Sequence, residues 1–263
     1  MDGHGSAMGR RGVLSAGAGA LAAAFAGGCA RSEGAGGAAG PSAPPPAPAT
    51  AVGGAAPGPR HFPRLPVQIS HGPRDRPRIA LTFDGRGDPD LARTALTGIE
   101  RAGARVTVLA VGSWLAEHPA MARRILDGGH EIGNHTEHHL DLATLDEHAA
   151  YEEIAACARR LRRLTGSIGS WFRPPSAPYA DPLVERLAQR AGYPHVLACD
   201  VESLDHAATR VAAVTRKVAG ELRNGSVVGM SLGRPVTVAA LPLLLAEIGR
   251  RGLRAVTATE LVS

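Results

Sequence analysis

From Arg78 onward, short β-branched apolar runs alternate with longer stretches of helical periodicity. Arg78-Ile79-Ala80-Leu81-Thr82-Phe83 predicts a buried strand, and Pro89 to Ala102 the helix that follows it. The alternation repeats. Arg105 to Val111 predicts a second strand, His118 to Leu126 a helix ended by Gly128-Gly129, and Glu131 to Asn134 a short strand that delivers His135 at its end. Asp146 to Thr165 is the longest predicted helix, and the run Arg159, Arg160, Arg162 and Arg163 on it reads as a solvated face. Further strands are predicted at Trp171-Phe172, Val196 to Cys199, Ser226 to Met230 and Leu253 to Val256. Helices near Asp181 to Ala191, Ala207 to Leu222 and Val238 to Arg251 separate them. Repeated βα units imply a parallel sheet, whose functional side chains gather at the carboxyl ends of the strands. Asp84, His135, Arg173, Asp200 to Asp205 and Ser231 all fall just after a predicted strand.

The front of the chain lacks this pattern. Residues 1–29 carry Arg10-Arg11 ahead of a short Ala/Gly-rich apolar run, the layout of an export signal of twin-arginine type and too short for a transmembrane helix. The run ends in Phe25-Ala26-Gly27-Gly28-Cys29, which is similar to a bacterial lipobox although Ala26 stands where Leu is usual. Lipidation of Cys29, and with it an anchor on the outer face of the membrane, is the expectation; ordinary cleavage and secretion is the alternative. Residues 30–75 are rich in Ala, Gly and Pro and predict a disordered tether. Residues 76–263 then form one domain, long enough for a substantial core, and a monomer is expected. Only 3% of residues are aromatic, which argues against base-stacking surfaces for nucleic acid. The net charge of +5 suits a cell wall or membrane surface but equally well an Arg-rich soluble exterior, and decides nothing. Cys157 and Cys199 lie in apolar stretches and read as two free buried thiols.

Chemistry concentrates in His135-Thr136-Glu137-His138-His139. Two imidazoles four residues apart, joined by a carboxylate from an earlier strand end, make a His₂-carboxylate set with an open coordination position. The spacing alone is weak, because 11 histidines in 263 residues produce such pairs by chance. His138 reads as pointing away from its neighbours. Asp88 reads as the N-cap of the next helix, or else as a spare ligand.

The order and spacing of five segments resemble the polysaccharide deacetylase family, the NodB homology or carbohydrate esterase 4 domain. They are Thr82-Phe83-Asp84, Gly129 to Thr136 with His139, Phe172-Arg173-Pro174-Pro175, Asp200 to Asp205, and Gly225-Ser226-Val227-Val228. The resemblance spans Arg78 to Val262. It implies an α/β fold, a distorted (β/α) barrel, that binds Zn²⁺ or a similar ion and removes acetyl groups from N- or O-acetylated polysaccharide such as peptidoglycan or chitin-like oligomers. By the same resemblance Asp84 is the catalytic base and shares in metal binding, His135 and His139 are metal ligands, and Arg173 steers the base. Asp205 would orient that arginine, and the main-chain N–H of Ser176 would face the oxyanion.

Four positions depart from the family pattern. Gly85 replaces a second, metal-binding Asp, Ser176 a Tyr, His206 a Trp, and Ser231 stands where an acid histidine is expected. A missing general acid typically costs ~10²–10⁴ in rate. Three readings follow: a metal-dependent deacetylase with a rebuilt or slow site, a non-catalytic relative that binds glycan or an envelope partner, and a purely structural domain of an envelope complex.

Overall fold

The computed structural model describes residues 55–263; the segment expected to be an export signal, with Cys29, lies outside the described residues. The chain runs β1 (Gln68–Ile69), β2 (Arg78–Gly87), α1 (Pro89–Arg101), β3 (Thr107–Ala110), α2 (Gly112–Glu117), α3 (Ala120–Asp127) and β4 (Glu131–Asn134). It continues through α4 (Glu147–Thr165), α5 (Pro182–Arg190), β5 (Val196–Leu197), β6 (Val201–Glu202), α6 (Val211–Glu221), β7 (Val227–Gly233), α7 (Pro235–Arg250), β8 (Arg254–Val256) and α8 (Ala258–Val262). Helix starts follow local chemistry. Asp88, Asp146 and Asp181 each accept hydrogen bonds from first-turn N–H groups, and Thr257 with Glu260 forms a capping box; such caps are worth ~1 kcal/mol each.

The strands form a parallel sheet in the order β4-β3-β2-β7-β6, with β8 beside the first residues of β2. Trp171-Phe172 is not a full strand. Phe172 alone bridges Asn134 on one side and Val196 on the other, while β5 pairs with β1. The chain from β5 bends into β6, which pairs with β7, and so the sheet curls into a distorted barrel.

The pleat of β2 sorts its side chains. Ile79, Leu81 and Phe83 join the core between sheet and helices, packed with Leu96, Ile99, Leu115 and Ile248. Ala80 belongs to the inner cluster with Leu109, Trp171, Leu197 and Val227, and Thr82 is fully buried. Period-two alternation therefore puts Ala80, Thr82 and Asp84 on the inward face, with Asp84 at the rim.

The domain begins earlier than residue 76. The Ala56 N–H donates to the Thr165 carbonyl (2.8 Å), the Phe62 N–H to His195 Nε2 (2.9 Å), and His195 Nδ1 to the Pro66 carbonyl (2.8 Å). Phe62 stacks on Trp171 with ring centroids 5.9 Å apart. Residues 55–75 thus have tertiary partners that their Pro-rich composition did not disclose, and their ordering entropy is offset by aromatic burial and main-chain bonds to the barrel. Arg160 also departs from a purely solvated face, since its Nε donates to the buried Glu137 carboxylate at 3.0 Å.

Candidate metal centre

Three strand ends converge on one cavity of about 720 Å³. Asp84 comes from β2, the loop after β4 supplies His135 and His139, and β7 supplies Ser231. One ligand atom from each of Asp84, His135 and His139 lies within 4.8 Å of the others. His135 is buried, and its Nδ1 lies 3.0 Å from the Arg173 carbonyl, which only accepts; Nδ1 therefore carries the proton. Nε2 is left as a lone pair, buried and without a hydrogen-bond partner, 3.5 Å from Asp84 Oδ1. A carbonyl that accepts from one ring nitrogen, fixing the tautomer and leaving the other nitrogen free, commonly accompanies a ligating histidine. The donor set fits a divalent ion.

The backbone delivers these groups under strain. Thr136, His139, Ser176 and Leu204 have φ of 64°, 59°, 60° and 55°. A non-glycine residue in this region costs of order 1–3 kcal/mol, and such residues cluster at functional sites. Asn134 holds the turn, accepting from the Thr136 N–H through Oδ1 (2.8 Å) and donating through Nδ2 to the Ile154 carbonyl and the Tyr193 hydroxyl. The Thr136 hydroxyl in turn accepts from the His139 N–H (3.1 Å). His138 turns outward to Glu153, as expected of it, and Asp88 is an N-cap rather than a ligand.

Burial would raise the carboxyl pKa of Asp84. The protonated form of the His135 ring, which alone can donate from Nε2 to the carboxylate, opposes this first, followed by the charges of Arg173 and His139; together they outweigh burial and hold it at about 2. Asp84 is thus ionised at neutral pH. His139 is pushed down to about 4 by burial, then by His135 and Arg86, and so is a neutral imidazole with a lone pair to offer.

Arg173 is almost wholly buried, with Nη1 3.7 Å from Asp84 Oδ1. Asp205 does not orient it. Arg173 Nε donates to the Leu197 carbonyl (2.9 Å), and Nη2 to the Thr82 hydroxyl (2.9 Å) and the Ala198 carbonyl (3.2 Å). Asp205 instead accepts from the Ser231 N–H (2.8 Å), the Ser231 hydroxyl (3.1 Å) and the Thr237 hydroxyl. Carbonyls at a strand end thus do for the arginine what a carboxylate was expected to do, and Asp205 secures β7.

Gly85 supplies no ligand, as expected. By the pleat it faces away from the cavity, and a Cβ there would lie 2.8 Å from Val108 Cγ1 and 3.0 Å from Ala110 Cα. A side chain on this backbone would enter the helix-facing core and would not reach the ion site. Ser231 is the register partner of Asp84 on the adjacent strand, and a donor at that position would stand beside the base. His206 lines the cavity from an exposed position. Ser176 lines it too, and among the described residues no acceptor takes its N–H. Of the two thiols, Cys157 is buried, with burial raising its pKa, while Cys199 is only half-buried, on the cavity wall; both are free.

Arg86 was not singled out from sequence. Its Nη1 lies 2.9 Å from His139 Nδ1 and 3.1 Å from Nε2. The available signal was its position two residues after Asp84, in the Gly-flanked end of β2.

The polysaccharide deacetylase family model matches residues 71–196. A peptidoglycan-N-acetylglucosamine deacetylase of Bacillus cereus is 30% identical over 194 residues, which cover 72% of this chain and 90% of that protein. A peptidoglycan-N-acetylglucosamine deacetylase of Listeria monocytogenes is 27% identical, over 70% of this chain but only 38% of its own length. Among solved structures, a CE4 family pseudoenzyme from Bacillus anthracis superposes with a TM-score of 0.71 at 21% identity, over 76% of this chain and 70% of that one. A mutant of that pseudoenzyme with restored enzymatic activity superposes equally well, at 22% identity over 76% of this chain and 72% of that one. The chain belongs to the polysaccharide deacetylase family, of the NodB homology or carbohydrate esterase 4 type.

Proposed function

We propose that this domain is a metal-dependent deacetylase of an N-acetylated cell-surface glycan, with peptidoglycan the first substrate to test. The observation that carries the reading is the convergence of Asp84, His135 and His139 in one cavity, with the His135 Nε2 lone pair buried and unpartnered. A divalent ion held by these three residues, Zn²⁺ in the first instance, would act as a Lewis acid on the acetyl carbonyl. Asp84, held ionised beside Arg173, accepts the proton of the attacking water. The Ser176 N–H faces the charge that develops on the acetyl oxygen. The cavity, walled by Arg86, Arg234, Glu202 and His206, has the size and polarity for a sugar ring. The relatives named above act on peptidoglycan N-acetylglucosamine, and the signal-like front with Cys29 supports an exported, membrane-anchored protein whose domain meets the wall. Among the described residues no helix is long and apolar enough to cross a membrane.

A second reading has its own observation. Ser231 occupies the place opposite Asp84 where a proton donor would serve the leaving amine, and its hydroxyl is bound to Asp205. In this reading the domain binds glycan and turns it over slowly or not at all. Acetate release from N-acetylglucosamine oligomers and from peptidoglycan, with Zn²⁺ present, separates the two. Release abolished by Asp84→Asn supports the deacetylase. Saturable glycan binding without acetate release refutes it in favour of the binding module.

A further inference from the structure

Charge is sorted along the barrel axis. In βα repeats the helices run back against the strands, so their last turns gather at the end opposite the Asp84 rim. An acid stands in the first turn and an arginine in the last of α1 (Asp90, Arg101), α4 (Glu147, Arg162) and α5 (Glu185, Arg190). Each placement complements its own helix dipole, and the shared direction of the helices adds them into one basic end. The loops ahead of the strands extend it. Arg74, Arg223 and Arg251, ahead of β2, β7 and β8, line a cavity of about 550 Å³ together with Asn224. Arg74 and Arg223 share the Asp200 carboxylate, at 2.7 and 3.7 Å, and Arg250 and Arg251 share Glu247, at 2.7 and 2.6 Å. Four guanidinium groups thus meet two carboxylates, which leaves positive charge unmatched at this end. The exposed Asp75 is offset by the exposed Arg76 beside it.

The chain enters the domain at this same end. The Ala56 N–H donates to Thr165, the last residue of α4, and Phe62 and Pro66 bond to His195, just ahead of β5. Residues 56–66 therefore cross the N-terminal strand ends, and Arg60 and Arg64 on them are exposed. We infer that this end of the barrel is a membrane-docking face, a basic surface that seats on anionic phospholipid headgroups beside the point where the tether arrives. The inference rests on the reading of residues 1–29 as an export signal with a membrane anchor at Cys29. A planar guanidinium binds a phosphodiester bidentately, and an array of them gains attraction from each anionic lipid within a Debye length. Docking turns the Asp84 cavity, at the other end of the strands, away from the bilayer.

The test is co-sedimentation of the full chain, carrying Cys29→Ser so that no acyl chain contributes, with vesicles of phosphatidylcholine and phosphatidylglycerol in equal parts. The parent should bind, and high salt should release it. Arg223→Gln/Arg251→Gln should weaken binding about tenfold or more. Arg223→Gln alone, at a side chain 67% exposed, leaves the fold intact and should show part of that loss. Arg93→Gln/Arg210→Gln removes two exposed arginines from the rim end and should bind as the parent does. Equal binding by the parent and Arg223→Gln/Arg251→Gln overturns the docking face, as does capture of the chain by soluble poly(glycerol phosphate) without binding to vesicles. The anchor is read separately, by mass analysis of Cys29 in the unsubstituted chain purified from expressing bacteria. A lipidated Cys29 with vesicle binding blind to Arg223 and Arg251 overturns the docking face and leaves the anchor standing.

Discussion

Restoring a carboxylate at position 85 is the obvious repair for this site, and the structure says that it is obstructed. A Cβ at Gly85 would lie 2.8 Å from Val108 Cγ1, 3.0 Å from Ala110 Cα and 3.3 Å from Ala110 Cβ. Ala110 Cα is backbone of β3, paired on both sides in the sheet, and Val108 is β-branched and fully buried, so neither neighbour yields easily. Overpacking of this kind costs ~1–3 kcal/mol, and seating a carboxyl in that layer without a partner adds ~1–3 kcal/mol. The entropy advantage of replacing a strand glycine returns only ~0.5–1 kcal/mol. Gly85→Asp should thus destabilise the domain by about 3 kcal/mol, a fall in Tm of about 6–12 °C for a domain of this size. Gly85→Ala isolates the steric part and should lower Tm by less. Val108→Ala in the Gly85→Ala background should recover part of the loss, with a favourable coupling of ~1 kcal/mol in the double-mutant cycle. Thermal unfolding followed by circular dichroism, in chelator, reads all of these. A Gly85→Asp protein that melts within a degree of the parent would refute the reasoning, because the strand would then have bulged to carry the side chain elsewhere without resistance. Any attempt to rebuild two-acid chemistry with Gly85→Asp/Ser231→His must therefore be read beside its melting curve, since loss of fold and failure of chemistry both silence an assay.

Two further outcomes are expected. Tyr193→Phe removes the hydroxyl that accepts from Asn134 and donates to the Ile168 carbonyl in a fully buried setting; it should cost ~1–3 kcal/mol, and an unchanged urea midpoint would contradict that. Asp84 has its folded pKa lowered from 3.8 to about 2, so its charge stabilises the folded state above about pH 4, and that contribution is lost as pH falls through 2. The stability difference between the parent and Asp84→Asn, measured in chelator, should shrink from pH 5 toward pH 2; a difference independent of pH would show that the carboxylate is not held by its neighbours.

Much of this molecule is legible along the chain. Apolar alternation in Arg78 to Phe83 and helical periodicity in Asp146 to Thr165 are local signals, and the elements formed within a few residues of where they were expected. Asp88 as a cap and His138 as an outward residue were legible for the same reason, since each depends on neighbours within a helical turn or on strand parity. The motif order also placed Asp84, His135 and His139 at strand ends of a parallel barrel, and convergence there follows from the architecture.

The tertiary structure decided matters that depend on which groups meet across the fold. Composition marked residues 55–75 as a tether, yet Trp171 and His195, more than a hundred residues away, supply the surface that orders them. Asp205 and Arg173 were expected as a pair, but a hydrogen bond goes to whichever partner packing brings near: carbonyls of residues 197 and 198 for the arginine, Ser231 and Thr237 for the carboxylate. Gly85 could be seen to lack a ligand, but only the neighbouring strand shows that Val108 and Ala110 fill the space a side chain would need. Arg86 against His139 is a contact across 53 residues. By itself the sequence determined the periodicity, hence the barrel, and the identity of the candidate ligands delivered to its rim. Packing among distant segments decided which of those groups are free and which are held, because partner choice in a close-packed interior is set by geometry that no local pattern encodes.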